Sequence, residues 1–323
     1  MNIFKQSKKE PVGGNEIIQR EKELTAQIQE AQAQASQAQA ELEELKKVSG
    51  LFPPGHFYSP IPDLEEVRKH ESSIWSVLPR EIEGIDLNDK GQLQLLKKFS
   101  KFYEELPFKD EKLEGLRYFF QNPAYSYSDA IVLYSMIRFA KPRHIIEVGS
   151  GFSSCVTLDT NEVFFDGKIK TTFIEPFPNL FYSLLKEGDR EKVRVLPIPL
   201  QDVSLAEFDE LGKNDILFID STHVSKINSD VNYIFFKILP RLKSGVIVHF
   251  HDIFYPFEYP KDWIYEGRAW NEDYLLRAFL QYNSAFQVMY FNAFMGSLYE
   301  DQLQRYMPLC LKNRGGSIWL RKL

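Results

Sequence analysis

The spacing of apolar residues changes along the chain, and each change marks a different kind of element. From about Asn15 to Val48 there is no proline or glycine, and Glu, Gln, Ala, Lys and Leu dominate. Ile17, Leu24, Ile28, Ala31, Ala35, Ala38, Leu42 and Leu45 fall on alternating steps of four and three, with Glu21 as the one polar seam residue. Such a seam predicts a coiled-coil helix over residues 1–50, for homo-oligomerisation or for docking on a partner. Three central alanines bury little area, so the seam is weak unless the helices approach closely; the alternative is a solvated helix that lies on its own body or frays. Gly13-Gly14 and Ser49-Gly50 punctuate its ends. Residues 51–141 then read as a mostly helical subdomain after the Pro-rich turn from Pro53 to Pro62. Leu93, Leu96, Phe99 and Tyr103 recur at helical spacing. So do Ile131, Leu133, Tyr134, Ile137 and Arg138, in a segment that Ser128 or Asp129 is placed to cap. The aromatics Tyr118, Phe119, Phe120, Tyr125 and Tyr127 fit a core better than a pocket wall.

Residues 142–323 alternate strand and helix signals, the mark of an α/β domain with a doubly wound, mostly parallel sheet. Strands are predicted at His144–Val148, Thr171–Ile174, Arg194–Ile198, Ile216–Ile219 and Val246–Phe250, with a helix from Asp230 to Leu242. Phe286–Phe291 and Ser317–Leu320 read as a closing pair with one antiparallel member. In such a sheet ligands lie beyond the carboxyl ends of the strands.

Composition narrows the class. Apolar residues make up 44%, charged residues 26% and aromatics 14%, which suits a packed core. A net charge of −6 and a pI near 5.7 argue against a nucleic-acid partner, which needs a basic face. Two cysteines, Cys155 and Cys310, suit a reducing compartment. Met1–Glu10 has no apolar core of a secretory signal, and no run of 18 apolar residues occurs. The expected setting is the cytoplasm.

The first strand exits through Glu147-Val148-Gly149-Ser150-Gly151. Gly149 and Gly151 let the backbone turn tightly against a ligand. The third glycine of a dinucleotide fingerprint is Ser154 here, and no lysine or arginine follows to cradle phosphate. Glu147 beside the bend is awkward for a pyrophosphate. It suits a cationic, phosphate-free ligand such as S-adenosylmethionine, which carries a sulfonium and an ammonium. Glu175, at the second strand's end, is placed for ribose hydroxyls, and Gln201 or Asp202 after the third for an adenine amino group.

These residues resemble the class I S-adenosylmethionine-dependent methyltransferases, in the small-molecule O-methyltransferase branch. The resemblance runs from about Tyr125 to the C-terminus. It rests on the Glu147–Gly151 stretch, Glu175, Phe218-Ile219-Asp220-Ser221-Thr222-His223, His249-Phe250-His251-Asp252, and Trp270 through Leu276. It implies a Rossmann-like sheet of about seven strands. The methyl donor is expected over strands one to three, with Asp220 among its contacts, and the acceptor over strands four and five.

A hydroxyl acceptor needs a base or a metal. Asp220 and His223 follow strand four, and His251 and Asp252 close strand five, which makes His251, His223 and Asp252 the candidate catalytic groups. His249, in an apolar run, reads as a satisfied core histidine. Related sugar and antibiotic O-methyltransferases hold a divalent cation with one acid after strand four and two after strand five. The resemblance therefore implies a metal site at Asp220, His251 and Asp252, with imidazole shifting preference from Mg²⁺ toward Mn²⁺ or Zn²⁺. Metal-free base catalysis by His251 or His223 stands beside it. The loop after Asp252 offers Tyr255, Tyr259 and Trp263 as acceptor contacts, with Arg268 and Trp270 beyond. The expected activity is O-methylation of a small molecule or glycan. The alternatives are an NAD(P)-dependent oxidoreductase and a non-catalytic coiled-coil scaffold.

Overall fold

The computed structural model describes residues 14–76 and 78–323, without the side chains of 14–17, 45 and 47–49. Met1–Glu10, Gly13 and the seam side chains of Ile17 and Leu45 therefore lie outside the described residues. The chain divides into two compact units, Met1–Val67 and Arg68–Leu323. The first contains the helix α1, Gly14–Ser49, over the span the seam predicts. Helix α2 is Leu64–Trp75.

In the second unit, α3 (Asp89–Tyr103) and α4 (Tyr127–Ala140) precede β1 (His144–Val148) and α5 (Phe152–Phe165). The remaining strands are β2 (Lys170–Ile174), β3 (Arg194–Leu196), β4 (Ile216–Ile219), β5 (Ile247–His251), β6 (Phe286–Phe291) and β7 (Ser317–Lys322). They form one seven-stranded sheet in the order β3-β2-β1-β4-β5-β7-β6. The first five are parallel, and β7 runs antiparallel to both β5 and β6. The strand order reverses between β1 and β4, which opens a crevice at their carboxyl ends.

Helices α3 and α4 do not form a body of their own. Leu95, Leu96 and Phe99 of α3 share one buried core with α4 and the sheet, and the Phe99 ring packs 5.6 Å from that of Tyr290. The helix predicted from Asp230 is one α-turn, Asp230–Tyr233, followed by a π-turn, Ile234–Ile238, and a 3₁₀ turn containing Pro240. The start of α4 is also corrected. Ser126 takes the cap position, and Ser128 and Asp129 are buried one turn further in.

At the β1–β4 junction Gly149 has φ of +80°, and a Cβ there would lie 2.0 Å from the Asp220 carbonyl oxygen. Only glycine permits that approach, so the bend after β1 and the end of β4 are locked together.

The side of α5 away from the sheet is fixed by a buried cation. Arg117 donates in bidentate fashion to Asp189 at 2.6 and 2.7 Å, and its Nη1 reaches Asp159 at 2.6 Å and Glu162 at 2.8 Å. Asp159 also accepts from the Arg117 and Tyr118 backbone N–H groups at 2.8 Å. Replacing Arg117 by methionine strands the fully buried Asp159 carboxylate. The expected loss is about 3–5 kcal/mol of unfolding free energy, read from urea denaturation; a loss below about 1 kcal/mol would show that α5 does not depend on this cation.

Candidate active site

A cavity and a buried cluster of ionisable side chains adjoin at the carboxyl ends of the central strands. The cavity, of about 440 Å³, is lined by Gly149, Glu175, Leu200, Gln201, Asp220 and Asn228, among others. Glu175 accepts from the Ser150 N–H at 3.3 Å and the Phe177 N–H at 2.8 Å, so the Gly bend holds this carboxylate in place. Gln201 lines the cavity and donates to the Asn228 carbonyl at 2.6 Å. Asp202, predicted beside it, is exposed and does not line the cavity. It sits in a single 3₁₀ turn that brings only its neighbours inward.

Glu147 lies beneath the bend and is fully buried. Its Oε1 accepts from the Ser153 and Ser154 hydroxyls at 2.7 Å, and Ser154 Oγ accepts from Gly151 N–H at 3.1 Å. The residue standing where a third glycine would be is thus an anchor for Glu147. Oε2 has no partner among the described residues. Burial, only partly opposed by the two serines, pushes the carboxyl pKa up to about 8.

The second group sits over β4 and β5. His223, with φ of +59°, and Asp252, with φ of +54°, both occupy the left-handed region. Such conformations persist where the surroundings over-determine them. His223 Nε2 lies 3.4 Å from Asp220 Oδ1 and 3.5 Å from Asp252 Oδ2, and its Nδ1 is 2.8 Å from Glu272 Oε2. His251 Nδ1 lies 3.2 Å from Asp252 Oδ1 and 3.7 Å from Asp220 Oδ1, while Nε2 faces Asp129 Oδ2 at 3.8 Å. The buried Asp129 is held by Ser317 Oγ at 2.6 Å, Asn292 Nδ2 at 3.0 Å and Gly316 N–H at 3.2 Å.

Burial alone would strip the charge from both imidazoles. For His223, Asp220 and Glu272 override it and push the pKa up to about 10. For His251, Asp252 and Asp220 do the same, with Asp129 adding to them, also to about 10. Burial raises Asp129 and Glu272, against the pull of the histidines. Burial raises Asp220 as well, but His251 and His223 outweigh it and leave it lowered. Near neutrality, then, both rings carry a proton in the ligand-free cluster.

Asp220, His223 and Asp252 each present a ligand atom, all within 4.8 Å of one another. This revises the predicted metal set, which had His251 in place of His223. The His251 ring is buried beside the Tyr125 ring, 5.1 Å away, with one nitrogen turned to Asp129. His249 is a core residue, stacked on Phe218 at 4.0 Å with the Trp319 ring tilted against it at 4.4 Å. It is not a satisfied one: neither ring nitrogen has a hydrogen-bond partner among the described residues, and burial drives its pKa well down.

The Trp270–Asp273 stretch brackets both loops. Trp270 lies on the His223 ring at 4.4 Å, and the His223 carbonyl accepts from the Asn271 and Glu272 N–H groups. Asn271 Oδ1 accepts from Ser225 N–H at 2.6 Å, and Asp273 accepts from Phe254 N–H at 3.2 Å. The loop after β5 is less open than predicted. Tyr255 is buried and donates to the Pro79 carbonyl, and the buried Tyr259 hydroxyl accepts from the Asp273 N–H at 3.1 Å. Trp263 stays partly exposed, with the Arg268 guanidinium 4.1 Å over its ring. In the sequence Asp129 reads only as a cap candidate, and Glu272 and Asp273 only as part of the Trp270–Leu276 stretch, because acids on helices far from any strand end carry no site signal.

Comparison with known proteins bears on this region. Residues 146–253 match a family model described as a methyltransferase domain. An uncharacterised protein of Archaeoglobus fulgidus is 35% identical over 176 residues, which span 53% of this chain and 78% of that protein. Among solved structures, the O-methyltransferase TomG from Streptomyces achromogenes, involved in tomaymycin synthesis, is 16% identical with a TM-score of 0.40, over 80% of this chain and 96% of that one. An apo-structure of CmcI-N160 is 17% identical with a TM-score of 0.41, over 66% and 76%.

The His223–Glu272 pair gives the site a measurable pH signature. In chelator-treated protein the His223 ring is expected to remain protonated past pH 8 in imidazole nitrogen NMR spectra. Glu272→Gln is expected to bring its pKa down by about one to two pH units. A histidine raised on folding stabilises fully below its unfolded pKa of about 6.5. That contribution is lost as pH climbs through about 10. An unchanged titration in the variant would show that Glu272 does not hold the proton.

Proposed function

The chain belongs to the class I S-adenosylmethionine-dependent methyltransferases, in one family with the archaeal protein, and we propose that it methylates a hydroxyl of a small molecule or glycan. The observation that carries this reading is the position of Asp220. It lines the 440 Å³ cavity and also stands 3.4 Å from His223 Nε2, so donor cleft and activating cluster share one wall. An aligned donor and acceptor is what displacement at a methyl group requires.

When bound, S-adenosylmethionine supplies a methyl group activated by sulfonium charge. The chain's residues fit such a ligand. The buried, unpartnered Glu147 Oε2 suits a cation and would be costly beside a pyrophosphate. Glu175 keeps acceptor capacity for ribose hydroxyls, and Gln201 stands on the cavity wall for the base. Gly149 lines the cavity, and Ser150 and Gly151 continue the bend beside it. The NAD(P) reading loses its ground here, since the Ser154 hydroxyl is committed to Glu147.

Asp220, His223 and Asp252 fit a divalent cation by donor type, two carboxylates and an imidazole, with Mn²⁺ or Zn²⁺ favoured over Mg²⁺. Such an ion supplies Lewis acidity toward a hydroxyl. Glu272 orients His223 by holding Nδ1, which leaves Nε2 facing the two aspartates. His251, between Asp252 and Asp129, is the group placed to exchange a proton at the acceptor side. Trp263, with Arg268 and Trp270, is the proposed acceptor wall, whereas Tyr255 and Tyr259 support it from beneath. No helix among the described residues is long and apolar enough to cross a membrane, and the two free, buried cysteines suit a reducing cytoplasm.

Isothermal titration is expected to show S-adenosylhomocysteine binding and no NAD binding. Affinity should rise between pH 6 and 7.5, because the ligand's ammonium favours ionised Glu147, whose pKa without it is about 8. Glu147→Gln should abolish that slope; NAD binding, or a slope that survives the substitution, sinks the cofactor assignment. Exhaustive chelation is expected to cut turnover at least about 100-fold, with recovery on adding Mn²⁺. Full activity after chelation would show that the reaction needs no divalent cation.

A further inference from the structure

Helix α1 carries its apolar seam in the open. Leu24, Ile28 and Leu42 are 51%, 55% and 50% exposed along a helix of 36 residues. We propose that α1 pairs with α1 of a second copy of this chain as an antiparallel two-helix coiled coil, with Ile28 packed across Ala31 and Leu24 across Ala35.

In heptad terms, Leu24, Ala31 and Ala38 hold one core position, and Glu21, Ile28, Ala35 and Leu42 hold the other. A parallel, in-register pair brings each residue against itself. Glu21 would meet Glu21 inside the seam, and like charges there repel. Ala31, Ala35 and Ala38 would form three consecutive small layers between the Ile28 and Leu42 layers. Large layers at both ends hold the helix axes apart, so the alanine stretch between them would be left underpacked.

An antiparallel pair instead sets one core position against the other. Ile28 then faces Ala31, Leu24 faces Ala35, and Glu21 faces Ala38. Across the six inner layers each of these longer side chains meets an alanine, so the axes stay close and evenly spaced there, and Leu42 meets Ile17 only in the outermost layers. The Glu21 stem can lie over the Ala38 methyl with its carboxylate in water. Because a two-fold axis relates the copies, every large–small contact occurs twice. The flanking charges suit either direction, Arg20 beside Glu41 when antiparallel and Glu41 beside Lys46 when parallel; the seam decides. This complementarity of the seam to its own reverse is what points to a second copy as the occupant.

The helix is prepared for pairing. Gln19 donates to Glu23 at 3.2 Å and Gln37 to Glu41 at 3.1 Å, each one turn apart. Good helix formers fill the rest, so association orders little additional chain.

The test uses the full chain. Sedimentation at tens of micromolar is expected to give a dimer, and Ile28→Asp a monomer with unchanged S-adenosylhomocysteine affinity. Cysteine cross-linking then reads direction, with the native Cys155 and Cys310 buried. A mixture of Glu21→Cys and Ala38→Cys chains should form a disulfide-linked dimer. Ala38→Cys alone should not, because antiparallel pairing separates the two positions by roughly 25 Å. Efficient cross-linking of Ala38→Cys alone would establish parallel pairing and overturn the proposal. So would a wild-type monomer at every concentration, or a mass above that of a dimer.

Discussion

Burying ionisable groups is the constraint on which this site depends. Asp220, Asp252, Glu272 and Asp129 surround two imidazoles, and most of these groups have little access to water. A buried carboxylate or imidazolium left alone costs several kcal/mol, so each must answer to another. The fold supplies the answers from four directions. Strands β4 and β5 bring Asp220, His251 and Asp252, α4 brings Asp129, and the segment opening the helix Glu272–Leu280 brings Glu272. Trp270 closes one side of His223, and backbone N–H groups of Asn271 and Glu272 hold its carbonyl. The left-handed turns at His223 and Asp252 survive because the chain is tied on both sides of each.

Glu147 obeys the same constraint with the opposite solution. Its carboxyl has two hydroxyl donors on one oxygen and nothing on the other, so burial keeps its proton on to about pH 8. A ligand bearing a positive charge converts that cost into binding energy, whereas an anion would add to it. On the proposed reading, selectivity for such a ligand would come from this deficit built into β1, beside the Gly149–Gly151 bend. Ser153 and Ser154 matter here because they fix the carboxyl's orientation without neutralising it.

The parts legible in the sequence were those set by local rules. All seven strands stand where alternation of apolar runs and turn residues placed them, with ends differing by at most two residues, and the antiparallel β7 follows from the closing pair. Gly149, Glu175, Gln201 and Asp220 line one cavity, as expected of residues at the strand ends of a parallel sheet, and Glu147 lies buried beneath it. Asp202 was misplaced because a 3₁₀ turn after β3 carries no alternation to say which side faces in. Asp129 and Glu272 were hidden for another reason. Each lies in a helix whose periodicity announces burial, and burial of an acid is explained only by a partner distant in sequence. His251 was credited with the metal position on order alone, whereas the turn at His223 swings that ring between the two aspartates.

Asp220 belongs to both the cavity and the cluster, and this has a consequence for assigning roles. Its carbonyl sets how close β4 comes to Gly149, and its carboxylate faces both imidazoles. A substitution there perturbs the cavity wall, the proton affinity of the histidines and the Asp220–His223–Asp252 cluster together, so its effect is not divisible among them. Glu147 and Glu272 stand on opposite sides of it. Glu147 hydrogen-bonds only to Ser153 and Ser154 of the bend, and Glu272 only to Ser221 and His223. Changes at these two carboxylates separate what Asp220 joins: one alters the buried charge beside the bend, the other the ionisation of His223. Among the described side chains, Asp220 beside the imidazoles and Ser221, whose hydroxyl donates to Glu272 at 3.5 Å, both line the cavity and touch the cluster, so any coupling between the two has this adjacent pair to pass through.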